Sequence, residues 1–195
     1  MGTAIVTGCG GLVGSESVER LILAGFDVIG IENDMRARFF GPEATVTPVS
    51  QRLVAQYPEL RLLDFDVRDR EAVERLFQSE GSRIELVVHA AAQPSHDWAA
   101  SDPHTDFGVN AVATLNLLEA FRQHSSDATF VFMSTNKVYG DTPNLLPLVE
   151  GDTRLGLPAD HKWHAGIDTT MSIDRSTHSL FGVSKGLSRL EGRES

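Results

Sequence analysis

Gly8, Gly11 and Gly14 follow directly on a short β-rich run, residues 3–7, and stand at the start of an amphipathic stretch. Residues of this type at this spacing can hold a phosphate. Gly8 permits a tight turn, Gly11 lets the main chain approach a pyrophosphate, and Gly14 lets the following helix pack close to a sheet. The anion would rest on the free N–H groups of the helix N-terminus, at Leu12 and Val13. Glu32 closes the next β-rich run at the offset where a carboxylate accepts hydrogen bonds from adenosine ribose hydroxyls. A carboxylate there repels the extra 2′-phosphate of NADP, so the expected cofactor is NAD.

These groups need a sheet to carry them. Residues 12–24 read as a helix in which Val13, Ser17, Leu21 and Ala24 share a face, and residues 28–32 as a second strand. A third strand follows at 60–65 and a helix at 68–79. Residues 84–89 form a nearly continuous apolar run, as a parallel strand buried on both faces requires. A long helix over 106–124 and a fifth strand over 128–134 complete the pattern. The order predicts an α/β fold: a doubly wound parallel Rossmann sheet with right-handed crossovers, forming one domain over residues 1–195. Two segments break the alternation. Residues 34–57, with Pro42 and Pro48, are expected to hold one short helix. Residues 141–177, rich in Pro and Gly, form a long irregular segment that would lie at the carboxyl edge of the sheet, where ligands bind.

Composition narrows the partners. Lys and Arg number 17 against 27 Asp and Glu, a net charge of −10, which disfavours nucleic acid and anionic membranes. The single cysteine, Cys9, rules out an intrachain disulfide and a cysteine metal cluster, and no basic neighbour in sequence activates it. The apolar run at the chain start is too short for a signal peptide or membrane span, so a cytoplasmic setting is expected. Among seven histidines only His161 and His164 have ligand-like spacing, and no metal site is expected. His89 reads as a satisfied core residue; Trp98 and Trp163, in loops at the site's edge, read as loop packing or as platforms for a sugar or base.

With the glycine loop in place, further motifs appear in order: Asp64–Asp69 after the third strand, His89–Gln93 after the fourth, Asn110–Thr114 in the next helix, and Ser134–Gly140 after the fifth. Together they resemble the extended short-chain dehydrogenase/reductase family of NAD-dependent nucleotide-sugar epimerases and dehydratases. The resemblance covers residues 3 to about 186. It implies that Asp66 and Val67 border the adenine and that Ala90, Ala91 and Ala92 line the cofactor. It also implies that Asn33 and Arg36 lie near the adenosine, and that Asn110 braces the site. Thr135 matches the hydroxyl that bonds the reacting sugar oxygen, and Lys185 the lysine that holds the nicotinamide ribose.

Within the family the sequence is most similar to CDP-tyvelose (CDP-paratose) 2-epimerases, through the stretches 134–141 and 173–179. The 4,6-dehydratases carry an acidic pair after the threonine, where this chain has Asn136 and Lys137; neither can act as a carboxylate. The implied activity is epimerisation of a nucleotide sugar, with a CDP-sugar favoured. A sugar hydroxyl is oxidised to a ketone with hydride passing to NAD, and the hydride returns on the other face. A homodimer through the helices after strands four and five is a further family expectation.

Two departures stand against this. The family's tyrosine base, four residues before the lysine, is here Phe181, which has no proton to exchange. Either the site is inactive, a neighbour such as His178 substitutes, or the base is relocated. Residues 186–195 read as an atypical, glycine-interrupted tail and a poor helix continuation, so the fold is expected to be truncated before the C-terminal substrate lobe. Strand five is then expected at the sheet edge. The alternative to an epimerase is a non-catalytic NAD-binding fragment or pseudoenzyme.

Overall fold

A computed structural model describes the backbone of residues 2–191 and side chains up to residue 187. Five strands form a parallel sheet: β1 (Thr3–Thr7), β2 (Asp27–Ile31), β3 (Arg61–Leu63), β4 (Ile84–His89) and β5 (Thr129–Phe132), in the order β3-β2-β1-β4-β5. The chain winds outward from β1 to β3, then returns to lay β4 on the other side of β1. The carboxyl ends of β1 and β4 therefore diverge into a crevice, the topological switch point of such sheets. β5 lies at the edge, as expected, with Thr129 and Val131 exposed.

Side chains alternate across the strands and build two cores. Ile5, Ile29, Ile31 and Val87 face one layer, where they meet Val73, Leu76 and Phe77 of α4 (Arg70–Glu80) and Leu117 and Ala120 of α7 (Ala113–His124). Ala4, Val6, Val28 and Val88 face the other, against Val18 of α1 (Leu12–Leu23) and Leu53 of α3 (Thr47–Gln56).

Several expected elements are corrected. In α1 the buried residues are Gly14 and Val18, while Val13 is about half exposed; the close approach of Gly14 to the loop turns that face inward. Residues 34–57 hold two helices, α2 (Met35–Phe40) and α3, rather than one. Asp34 organises them: its carboxylate accepts from Val46 N at 2.8 Å and from the hydroxyls of Thr45 and Thr47, and Pro48 opens α3. The long helix of 106–124 starts earlier and is interrupted. After α5 (His96–Ser101) come α6 (Pro103–Phe107), one π turn (Gly108–Val112), and then α7.

Residues 141–177 are irregular, holding only a 3-10 turn and the two-residue antiparallel strands β6 (Val149–Glu150) and β7 (Leu155–Gly156), with Trp163 and Met171 buried. The tail is also corrected. Helix α8 runs Leu180–Glu191 straight through Gly186, so the glycine does not end it; residues 192–195 lie outside the described residues. α8 packs on α5, α6, the π turn and a 3-10 turn at Asn136–Tyr139.

Candidate functional site

An open cleft of about 240 Å³ occupies the crevice between β1 and β4. Gly8, with φ +67°, turns the chain out of β1; its N–H donates to Ile31 O at 2.8 Å. A Cβ on Gly8 would stand 2.8 Å from the Ala91 backbone, and one on Gly14 only 2.0 Å from Gly8 O. Gly11 has an ordinary extended φ of −76°, and a Cβ there would meet only Gly8 O, at 3.3 Å. The first amides of α1 have no acceptor within the helix, leaving those of Leu12 and Val13 available for an anion. Gly8, Gly11, Leu12, Val13 and Gly14 all line the cleft.

Glu32, Asn33 and Arg36 line it beyond β2. The Glu32 carboxylate accepts from the backbone N–H groups of Gly10 (3.0 Å), Asn33 (3.1 Å) and Asp34 (3.0 Å), which fixes it on the glycine loop. A carboxylate offers about four acceptor positions, so capacity remains for a ligand hydroxyl. Behind it Cys9 is fully buried; burial, and then the Glu32 charge, push its thiol up to about 12. Cys9 is a small core residue against Gly30, where a Cβ would stand 2.7 Å from Sγ.

Asp66 and Val67 line the cleft after β3, and Ala90, Ala91 and Ala92 after β4. Asp66 is held by Arg68, whose Nη2 reaches Oδ2 at 2.6 Å and whose backbone N–H donates to Oδ1 at 2.9 Å. Burial opposes ionisation of Asp66, but the Arg68 hydrogen bonds and charge outweigh it and hold the carboxyl below its usual range. Sequence reasoning missed Met35, Phe39, Val46 and Phe65, which supply apolar lining. Phe65 beside Asp66 was a legible signal; Val46 was not, since only Asp34 brings it in. Trp98 packs on Phe39, ring centroids 4.5 Å apart.

Comparison with known proteins decides the lineage. Residues 4–161 match the model of the NAD dependent epimerase/dehydratase family. The chain belongs to that family. Among its relatives, the CDP-paratose 2-epimerase of Salmonella typhi is 28% identical over 186 residues, 93% of this chain and 49% of that protein. The UDP-glucose 4-epimerase of Drosophila melanogaster is 33% identical over 76% of this chain and 41% of its own length. The structure of the Thermus thermophilus UDP-glucose 4-epimerase complex with NAD superposes with a TM-score of 0.63 at 27% identity, covering 96% of this chain and 49% of that one. The chain thus spans about half the length, or less, of these relatives.

The remaining residues singled out by the family resemblance stand apart from the cleft lining. Asn110 is fully buried in the π turn, exchanging hydrogen bonds with the Gln93 backbone: N–H to Oδ1 at 3.0 Å and Nδ2 to O at 3.1 Å. Lys185 is 3% exposed, its Nζ 4.5 Å over the Phe132 ring. Burial pulls it down to about 8, with the Asp106 charge acting the other way. Phe181 is buried one turn before Lys185 on the same face of α8. Thr135 is partly buried at the start of the 3-10 turn, where its Oγ1 accepts from Lys137 N at 3.3 Å. Beside that turn lies a second, polar hollow of about 300 Å³, bordered by Asn136, Lys137, Tyr139 and Ser179.

His178 precedes α8, and its Nε2 donates to Ile173 O at 2.9 Å. His161 accepts from Trp163 N, and His164 bonds Leu157 O at 2.8 Å. Among the described residues no group of three or more His, Cys, Asp or Glu could hold a metal ion, and no helix is long and apolar enough to cross a membrane.

Proposed function

We propose that the chain binds NAD in this cleft and forms the cofactor-holding part of a nucleotide-sugar epimerase of the 2-epimerase type, acting on a CDP-sugar such as CDP-paratose. The observation that carries the reading is the convergence of the glycine loop, Glu32, Asp66 and the three alanines on one open cleft. The fit is specific in two places. Gly8 leaves free the space a Cβ would fill against Ala91, and Glu32 keeps acceptor capacity at the rim. In this role Leu12 and Val13 hold the pyrophosphate by their amides, Glu32 the ribose, Asp66 the adenine amino group and Lys185 the nicotinamide ribose. Thr135 orients the sugar hydroxyl. The bound cofactor supplies a hydride acceptor for the sugar carbon. α8 presents Leu180, Val183 and Leu187 to solvent at helical spacing, and we assign this face to a homodimer contact.

A second reading, NAD binding without turnover, is favoured by one observation: Phe181 carries no exchangeable proton where the family resemblance calls for a base. Calorimetric titration with NAD, followed by incubation with NAD and CDP-paratose, tests both. Binding with conversion to the 2-epimer supports the first reading, and binding without conversion the second. Absence of NAD binding overturns both. Light scattering reads the dimer.

A further inference from the structure

The last residue of β5 sets an aromatic ring beside α8. Phe132 pairs in register with His89 of β4, and the two rings lie 5.6 Å apart. Over the Phe132 ring stands the Lys185 ammonium, Nζ 4.5 Å from the centroid. That is inside the ~6 Å within which the negative face of an aromatic ring attracts a cation.

Lys185 is only 3% exposed, yet among the described residues its ammonium forms no hydrogen bond and no ion pair. No wholly buried polar side-chain atom among those residues lacks a partner, so the exposed 3% includes the ammonium itself. The side chain is thus a buried stem whose charged tip reaches a narrow opening. A charge so far out of water needs a local source of stabilisation. The charged and titratable groups on the packed elements do not touch it. His96 and Asp97 on α5, His104 on α6 and Lys137 on the 3-10 turn are exposed. The Tyr139 hydroxyl donates to Asp168 O; on α7, Glu119 pairs with Arg122, and His124 with Glu74. The Asp106 carboxylate favours the ammonium by its charge, but its hydrogen bonds go to Gln93, Asn110 and Ser184. His89 is neutral. What the ammonium touches is the ring.

We infer that Phe132 is a positioning residue for Lys185: its ring face holds the ammonium at the opening and leaves the N–H donors free for ligand hydroxyls. An ammonium has three donors and no acceptor. A carboxylate in contact would spend one or more of them, whereas a ring face attracts the charge without offering a lone pair. An aliphatic side chain at 132 would fill the space and attract nothing. That the hydroxyls served are those of a nicotinamide ribose rests on the proposed function; the contact itself does not.

The chain has three lysines, Lys137, Lys162 and Lys185. Lysine labelled with ¹³C at Cε therefore gives three signals, and Lys185→Met assigns the buried one. In the protein without added cofactor, the ring current of Phe132 should shift the Lys185 Cε protons upfield, and Phe132→Leu should abolish that shift. Lys162, whose Nζ lies 3.7 Å over the Trp163 ring, should stay upfield in both as an internal standard. Placing 4-fluoro- or 3,4,5-trifluorophenylalanine at position 132 keeps the shape and weakens the negative face. The Lys185 titration midpoint should fall in that order, by about one pH unit for the trifluoro ring, a tenfold loss of proton affinity. Absence of the upfield shift, or one midpoint for all three rings, overturns the inference. Should Phe132→Leu fail to fold, the fluorinated rings decide it. Calorimetry should show NAD binding weakening along the same series, and equal affinity while the midpoint moves overturns the positioning role. A midpoint that follows the series in a protein that binds no NAD would overturn the proposed function and leave the Phe132 contact standing.

Discussion

The Thr7 hydroxyl and the His89 imidazole meet 2.7 Å apart at the centre of the sheet, both fully buried. Their neighbours fix every proton. Thr7 Oγ1 accepts from Ala91 N at 3.1 Å, and it donates to His89 Nδ1 because the neutral ring carries its proton on Nε2. His89 Nε2 donates to Thr114 Oγ1 at 3.0 Å, which in turn donates to Asn110 O at 2.8 Å. One chain of hydrogen bonds thus ties the alanine wall of the cleft to β1, β4 and the π turn, with no buried polar side-chain atom left unpaired among the described residues.

Thr7→Val keeps the shape and removes the hydroxyl, stranding His89 Nδ1 and Ala91 N–H. Leaving a buried group unpaired costs about 1–3 kcal/mol, so urea unfolding should show a loss of that order. NAD affinity should fall with it, since Ala91 lines the cleft. A variant as stable as the parent would remove the network from the account.

His89 sets a pH dependence. Burial, then the Lys185 charge, lower it from 6.5 to about 3 in the folded chain. Between those values the unfolded chain binds the proton and the folded chain does not, so stability falls as pH falls. The slope from this one group is about 1.4 kcal/mol per pH unit below pH ~6.5. Urea melts at pH 7, 6 and 5 should show a steeper loss for the parent than for His89→Gln. Nitrogen-15 spectra should show a neutral imidazole, protonated on Nε2, at pH 5.

The glycines separate folding from binding. Gly14→Ala places a Cβ 2.0 Å from Gly8 O, a main-chain clash that must displace the loop. Gly11→Ala meets only Gly8 O at 3.3 Å, with φ already at −76°. We expect Gly14→Ala to lower both the melting temperature and NAD affinity. Gly11→Ala should melt near the parent yet bind NAD at least about tenfold more weakly, a difference of some 1.4 kcal/mol, because its methyl stands where the pyrophosphate approaches. Equal melting and equal binding for both variants would contradict this assignment of the loop.

What the sequence made legible was whatever repeats locally. β1 and β4 are largely apolar, β-branched runs, and the bounds their sequence predicts are the ones observed. The glycine loop, Glu32, Asp66 and the alanines declare themselves by spacing and motif, and all line the cleft. What stayed hidden depends on contacts distant in the chain. The two helices within residues 34–57 are set by Asp34, which joins them through hydrogen bonds to Thr45, Val46 and Thr47, 11 to 13 positions away. Asp106 and Ser184 look like surface polar residues until the fold brings them 2.7 Å apart over 78 positions. Gly182 reads as a helix weakness, yet a Cβ there would lie 2.7 Å from Lys137 O, so it is what lets α8 approach the turn bearing Thr135.

Phe181 bears on turnover directly. Its replacement by tyrosine adds one oxygen on the face of α8 that also carries Lys185, four residues on. A tyrosine hydroxyl ordinarily titrates near pH ~10, and a nearby ammonium lowers that value by stabilising the phenolate. If proton exchange with the sugar hydroxyl is the missing element, Phe181→Tyr should raise epimerisation of CDP-paratose by about 10²-fold or more, the usual yield of a positioned general base. NAD affinity should stay unchanged. The rate should rise with pH to a midpoint below 10, and the added Lys185→Met should move that midpoint upward or abolish the gain. A variant that still binds NAD but gains no turnover would place the obstacle elsewhere, in the grip on the nucleotide sugar.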